Sequence, residues 1–462
     1  MARKIRSFRV GKVSAFLRGR VWYLAYFENG RRCRPRVGPD REAARQLAAH
    51  TNAQLEVGAP TPLSFEPLSV EKVRERWLQY HEHVVRSSVA TVNRYRTGTL
   101  HLLNFVRDVR PAVLAAHFQP AHAEEFAAYL RRIKVAPNGH RNAVKRPLRD
   151  KGVKYILEVC RSLFNYAAKR RHLPPYAENP FATIEIDRIP VEDAKPFVGF
   201  TDEQERTFLD TCDDWQFPIF ATLLMTGMRP GELIHLLLPG DLDLHDGWIK
   251  VCNKPRLGWK VKTRTERAIP VLPELVQVLR SVVGDRSTGP VFLRRHLVED
   301  GPPTLAALSA DRLEHELQRR IDMQTPDVGG PVSRPAVQRV SDRLWYAMGA
   351  IKADTIRLEF KRLTASIGLP EVTAPKTLRH MFATALQDAN VDPLIRNQLM
   401  GHAPAGAGTP GGGLSMTGVY THSRPETVRR QLEQALRARP GIRAFAHRPT
   451  MAAARFQPAR SA

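Results

Sequence analysis

A chain of 462 residues, 43% of them hydrophobic, has the apolar material for a sizeable core and the length for two to four domains. Its 71 lysines and arginines stand against 46 acidic residues, a formal charge of +25 that favours DNA or RNA as partner over any neutral ligand. Cys33, Cys160, Cys212 and Cys252 form no CxxC pair, so neither a zinc site nor a disulfide framework is supported.

His81 and His83 flank Glu82 with no further ligand close in sequence, and read as a solvated helix face rather than a metal site. No run reaches membrane-spanning length, and the basic N-terminus lacks a signal-peptide core. The expectation is a soluble protein of the cytoplasm.

In chain order, residues 12–37 read as a three-stranded sheet whose segments are Val13–Leu17, Val21–Tyr26 and Arg32–Val37. Asn29-Gly30 supplies the positive φ angles of a tight hairpin. Arg18, Arg20, Arg31, Arg32, Arg34 and Arg36 decorate this sheet, and a helix is predicted over 40–54. A basic sheet of this size fits a DNA groove, although a protein-docking module has the same look. Gly58–Pro62 reads as a linker.

Residues 69–183 are helical by periodicity. Ser69 is placed to cap a helix bearing Val70, Val73, Trp77 and Tyr80. Two further helices carry Val92, Tyr95 and Leu103, then Phe126 and Tyr129. The clearest stripe is Val153, Ile156, Leu157, Cys160, Leu163, Phe164 and Ala167. The basic stretch Lys134–Lys151, including Lys145 and Arg146, suits phosphate contact as well as plain solvation.

From Phe200 a mixed, mainly helical region begins. Thr201 caps a helix with an acidic first turn, and Phe217–Met225 is apolar on all sides, as a buried helix should be. Trp248–Val251, Lys260–Thr263 and Arg267–Val271 read as short strands, and 310–322 as a helix. Residues 439–462 read as a flexible basic tail. The fold class is therefore mainly α with small β elements, an α+β protein.

Five features follow one another in the second half. They are Thr226–Leu233 with Arg229 and Glu232, then Lys262-Thr263, then Lys376–His380 with Arg379, then Leu399–His402, and finally Tyr420. Singly each has a bland reading: a surface ion pair, a helix-end histidine, an interface aromatic. Together they meet the demands of phosphodiester transfer. Charge grows on two non-bridging oxygens, which two guanidinium forks from separate segments clamp better than ammonium groups. The departing 5′-oxygen needs a proton, which Lys262 on a hairpin is placed to give; Lys250, Lys254 and Lys260 compete for that role. Tyr420 is the only tyrosine after Tyr346, and a phosphotyrosyl ester keeps the bond energy for rejoining. His402 is placed to contact the phosphate or to help deprotonate the tyrosine, and Glu232 to orient an arginine.

These motifs resemble the tyrosine recombinase, or phage integrase, family. The resemblance covers a catalytic domain over 197–438, a helical core-binding domain over 67–185, and a sheet-plus-helix over 1–58 like the arm-type DNA-binding domain that many integrases carry. It implies that Arg229 and Arg379 are the two family arginines, with His380 following the second. It implies that Lys262 is the hairpin lysine, its register supported by Arg267–Pro270, that His402 belongs to the Leu-Gly-His-like box, and that Tyr420 is the nucleophile. Lys376 takes a place most often held by histidine. The resemblance further implies double-stranded DNA as partner, four protomers acting on two sites with no metal and no cofactor, and accessory bending or directionality proteins.

Two stretches exceed the family pattern. One is the Gly/Ala/Pro-rich Ala403–Gly413 before Tyr420, read as a loop insertion; the other lies between Arg294 and Ile351, read as a surface insertion. Three alternatives stand beside the recombinase. A catalytically silent DNA binder of the same fold would lack an arginine or the tyrosine. A type IB topoisomerase-like enzyme would not need the two N-terminal domains, and a basic structural nucleic-acid binder would leave the ordered motifs unexplained.

Overall fold

In the computed structural model of the protein, the described residues are 7–63, 65–111, 114–136, 142–175, 177–193, 197–263, 265–324, 332–402, 423–439 and 441–446. They fall into two compact units, Met1–Lys195 and Pro196–Ala462.

Alternating apolar residues build the first sheet from β1 (Ser7–Val10), β2 (Val13–Arg18), β3 (Val21–Glu28), β4 (Arg31–Cys33) and β5 (Arg36–Gly38). All pairings are antiparallel, with β2 between β1 and β3 and both short strands on the far edge of β3. The sheet thus has five strands instead of the expected three. Pro35 splits the predicted basic strand in two, because proline has no N–H for a ladder, and Ser7–Val10 adds an edge. Asn29 (φ 48°) and Gly30 (φ 77°) make the predicted turn. Trp22, Leu24 and Tyr26 point inward to α1 (Arg41–Glu56), whose Ala44 and Ala48 let helix and sheet approach closely.

Gly58–Pro62 is not a free linker. Thr61 donates from its backbone N–H (2.8 Å) and its hydroxyl (3.1 Å) to the buried carboxylate of Glu28. The helices α2 (Val70–Gln79), α3 (Val89–Asp108), α4 (Pro120–Arg132) and α5 (Asp150–Lys169) then close around Trp77, Phe105, Phe126, Phe164 and Phe181. Ser69 caps α2 as its hydroxyl accepts from Lys72 N at 3.1 Å. A two-residue ribbon, β6 (Lys134–Val135) with β7 (Arg146–Pro147), lies between α4 and α5 in sequence and leaves Lys145 and Arg146 exposed.

In the second unit, α6 (Asp202–Thr211), the fully buried α7 (Gln216–Thr226) and the one-turn α8 (Pro230–Leu233) lead into β8 (Leu237–Leu238). The strands β9 (Leu242–Asp243), β10 (Trp248–Val251) and β11 (Arg267–Pro270) form a three-stranded antiparallel sheet with β10 in the middle. Then follow α9 (Pro273–Val283), β12 (Gly289–Pro290), α10 (His296–Asp300), α11 (Ala310–Asp322), α12 (Arg334–Ala347), α13 (Ala353–Ser366), α14 (Lys376–Asp388), α15 (Pro393–Met400), α16 (Pro425–Arg437) and α17 (Gly441–Ala446).

Three expectations need correction here. Lys260–Thr263 is a loop: Val261 N–H donates to the Asn253 side chain at 2.9 Å instead of to a neighbouring strand. The supposed surface insertion between Arg294 and Ile351 has a buried core of its own, made by Leu313, Leu317, Val340, Leu344, Trp345 and Met348 with Leu257. The predicted tail begins with Arg439 buried against Glu205 (2.5 Å), and α17 lays Phe445 on Phe217. Among the described residues no helix is long and apolar enough to cross a membrane.

Candidate active site

Gly227 sets the first half of the site. It ends α7 in the left-handed region (φ 61°), where a Cβ would lie 2.3 Å from the Phe382 ring of α14. Pro230 then opens α8, so Arg229 sits in the extended turn between two helices. Glu232, in the first turn of α8, reaches back: Arg229 donates to it from the backbone (3.0 Å) and from Nη1 (2.7 Å).

The other face of Glu232 is held by a residue that sequence reasoning did not single out. Arg267, at the start of β11, donates to Glu232 Oε2 at 2.6 Å and to the Leu399 carbonyl at 2.9 Å, and its side chain is 1% exposed. A signal was present. Arg267 and Ile269 share the buried face of one strand, so the arginine occupies a core-facing position that calls for buried acceptors. Burial alone would raise the Glu232 carboxyl, but the hydrogen bonds and charges of Arg267 and Arg229 outweigh it and hold it below the usual range.

Arg379 comes from the first turn of α14. Its Nη1 donates to the Gly227 carbonyl at 2.6 Å and its Nη2 to the Met400 carbonyl, with His402 Nε2 at 3.4 Å. Gly401, at φ 60°, ends α15; a Cβ there would come within 2.7 Å of Arg267 Nη1. The two helix-ending glycines therefore shape the space in which the guanidiniums lie. Burial, then the charges of Arg229 and Arg267, bring Arg379 down to about 10, still charged at neutral pH. Burial and then Arg379, Arg229 and Arg267 push the His402 imidazole below its ordinary value. Three guanidiniums thus surround one carboxylate, an excess of positive charge suited to a phosphate oxygen pair.

The structure brings together Arg229, Glu232, Arg379 and His402. Other candidates are exposed at the surface of the same unit. Lys262 is exposed in the loop between β10 and β11, and Lys376 is exposed at the start of α14. His380 turns toward Phe197, with ring centroids 5.1 Å apart. Of the competing lysines, Lys254 is taken by Asp241 at 2.6 Å. Tyr420 lies outside the described residues, as do Ala403–Gly413. Among the described residues no cluster of His, Cys, Asp or Glu is arranged to hold a metal ion.

Residues 199–427 match the model of the phage integrase family. The chain belongs to that family and is a tyrosine recombinase. Tyrosine recombinase XerC of Xylella fastidiosa (strain M23) is 24% identical over 286 residues, covering 60% of this chain and 72% of its own. XerC of Pelotomaculum thermopropionicum is 26% identical over 212 residues, 46% of this chain and 51% of its own. Among solved structures, the Tn1549 transposon integrase in complex with circular intermediate DNA is 18% identical, with TM-score 0.49, covering 79% of this chain and 99% of that one. A lambda integrase dimer bound to a core site is 13% identical with TM-score 0.41, covering 88% and 93%. The recombinase is mainly helical with small antiparallel sheets, the expected α+β class.

The sheet of the first unit has a sided chemistry. Its inward face is the apolar core under α1. On the opposite face the register places Arg9, Arg18, Arg32 and Arg36 around Phe16, Tyr23 and Phe27, with Phe16 stacked on Tyr23 at 5.7 Å. Of the predicted arginines, Arg18 and Arg32 share this face. Arg20 is in the β2–β3 turn, Arg31 pairs across the strands with Glu28 on the other side, and Arg34 lies in the break before β5.

Proposed function

We propose that this recombinase cuts and rejoins double-stranded DNA at specific sites through a 3′-phosphotyrosyl intermediate, in the cytoplasm, for integration or excision of a mobile element. The observation that carries the reading is the buried Arg229–Glu232–Arg267 network with Arg379 and His402 beside it, inside a phage integrase family domain.

In this reading Arg229 and Arg379 hold the two non-bridging oxygens of the scissile phosphate. Tyr420 Oη attacks phosphorus, its proton passing to a base for which neutral His402 is suited. The P–O5′ bond breaks as the P–O(Tyr) bond forms, and Lys262 gives the 5′-oxygen its proton. Rejoining reverses these steps with a 5′-hydroxyl of the exchanging strand as nucleophile. No bond energy is lost to water, so the chemistry draws on no cofactor. Lys376 donates to a backbone phosphate at the N-terminus of α14, where the helix dipole adds to its charge. Glu232 fixes the guanidiniums, and His380 buttresses α14 against Phe197.

The helical domain over 67–185, with Lys145 and Arg146, grips the duplex, and the basic sheet reads a separate arm-type site. A homotetramer spans two sites, with accessory bending or directionality proteins as further partners.

The test is covalent trapping on a randomised pool of duplexes nicked beside the scissile bond, comparing parent and Tyr420→Phe. Loss of the short leaving strand lets the phosphotyrosyl adduct accumulate for sequencing. Adducts are expected with the parent alone. Adducts with Tyr420→Phe would remove the tyrosine from the reaction, and salt-sensitive binding without adducts would favour a catalytically silent binder.

A further inference from the structure

The stretch between Arg294 and Ile351 exceeds the family pattern and looks like a surface addition in sequence, yet its third helix, α12, is bonded to the loop that carries Lys262. On α12, Ser341 Oγ donates to the Leu257 carbonyl at 2.7 Å, and Trp345 Nε1 donates to the same oxygen at 3.0 Å. Both donors are buried, and Leu257 is itself buried among Leu313, Leu317, Val340 and Leu344 of α11 and α12. Gly258 takes φ 73°, and a Cβ there would stand 2.4 Å from Ser341 Oγ, so the loop lies directly on the helix. At the rim, Arg256 pairs with Glu314 of α11 at 3.1 Å.

The loop is closed on itself as well. Lys254 and Trp259 form a two-bond bridge (3.0 Å each), and the Asn253 side chain holds the N–H of buried Val261, the residue before Lys262. Trp259 stacks on His235 at 4.7 Å, and Trp345 meets His235 edge-on at 4.6 Å. His235 in turn lies 2.7 Å from the Gly231 carbonyl, within the turn that begins at Arg229. Trp345 of α12 therefore bonds the Lys262 loop directly and reaches the Arg229 turn through His235.

We propose that α11 and α12 are a brace that fixes the height of the Lys262 loop against the Arg229 turn, with Ser341 and Trp345 as positioning residues for proton delivery to the leaving 5′-oxygen. The proposal rests on Lys262 being the proton donor. A carbonyl held by two buried donors has little freedom to move, and the short rigid path from Leu257 through Trp259 to Val261 passes that constraint to the lysine's backbone. The side chain of Lys262 remains exposed and free to reach a phosphate ester.

The test uses the full-length protein and the duplex recovered by trapping, made with either oxygen or sulfur bridging the scissile phosphorus and the 5′-carbon. A 5′-thiolate departs without a proton, so sulfur bypasses the donor. The double variant Ser341→Ala/Trp345→Phe keeps an aromatic ring beside His235 while removing both hydrogen bonds. Amide hydrogen exchange at Leu257–Val261 is expected to quicken about tenfold in it, with α7 unchanged. Its cleavage of the oxygen substrate is expected to fall about tenfold to hundredfold, and its cleavage of the sulfur substrate to stay within about threefold of the parent.

Lys262→Ala runs alongside and is expected to show the same rescue. If sulfur does not rescue Lys262→Ala, the lysine is not the donor, and the premise falls. If sulfur rescues Lys262→Ala but not the double variant, the helices serve only the fold and the brace is overturned. Parental cleavage of the oxygen substrate by the double variant overturns it equally.

Discussion

The molecule uses arginine in two opposite ways. In the second unit Arg267 and Arg379 are buried and Arg229 is three-quarters covered, each tied to Glu232 or to a backbone carbonyl. On the outer face of the first unit's sheet, Arg18, Arg32 and Arg36 are exposed among aromatics. A buried guanidinium carries its desolvation cost into the folded state and is fixed before any ligand arrives, which suits charge that develops during a reaction. An exposed one is screened by salt and adapts its rotamer, which suits attraction to a polyanion and little more. The same side chain thus serves chemistry in one place and affinity in the other, and substitutions should separate the two.

The largest effect is expected at the carboxylate. Glu232→Gln leaves Arg267 with a buried, uncompensated charge, a loss of about 3–5 kcal/mol in unfolding free energy. Chemical denaturation measures it. A loss under about 1 kcal/mol, the range of exposed pairs, would mean that Arg267 finds other partners and that the network is not what holds the site.

Next is Arg229→Lys. Glu232 keeps its pair with Arg267, so stability should change little. Lysine presents no planar fork, however, and cleavage of the trapped duplex is expected to fall about 10²–10³-fold, the loss typical of removing one fixed transition-state donor. Near-parental cleavage would take Arg229 out of phosphate binding.

Much of this was legible in sequence because periodicity over many residues is hard to mimic. The stripe on α5, the all-round burial of α7 and the helix over 310–322 all appear as read. Short patterns misled. Lys260–Thr263 alternates like a strand for only four residues, and the Asn253 side chain takes the bond a ladder would need. Pro35 breaks the strand predicted around it. Arg229, Glu232, Arg379 and His402 meet as their order suggested. The core-facing place of Arg267 is readable from its strand, but its partner Glu232 is not, and the roles of Ser341 and Trp345 come from partners far away in sequence, which no local spacing encodes.

A smaller effect is expected on the sheet. Arg18→Ala with Arg32→Ala removes two exposed charges and touches no buried partner, so cleavage of a short core duplex should be unchanged. If this face binds phosphates, the slope of log affinity against log salt should drop by about one for each arginine on arm-containing DNA, and affinity should fall severalfold. Binding titrations at several salt concentrations give both numbers. An unchanged slope would return the sheet to the protein-docking reading.

The finest test concerns how far the buried arginines reach. His402 is held below its ordinary value first by burial, then by Arg379, Arg229 and Arg267. A histidine whose folded value is depressed favours the neutral ring, so its contribution to stability is present above the unfolded value of about 6.5 and is lost as pH falls through the folded one. The imidazole should therefore titrate below about 6.5 by NMR and be neutral, ready to accept a proton, at the pH of the cell. Arg379→Gln removes the nearest positive charge and should move the midpoint upward. Bound DNA should do the same in the parent, because a phosphodiester carries the negative charge that the site lacks. A midpoint that ignores both changes would mean that burial alone sets His402, and the four residues would then be neighbours without acting as one electrostatic unit.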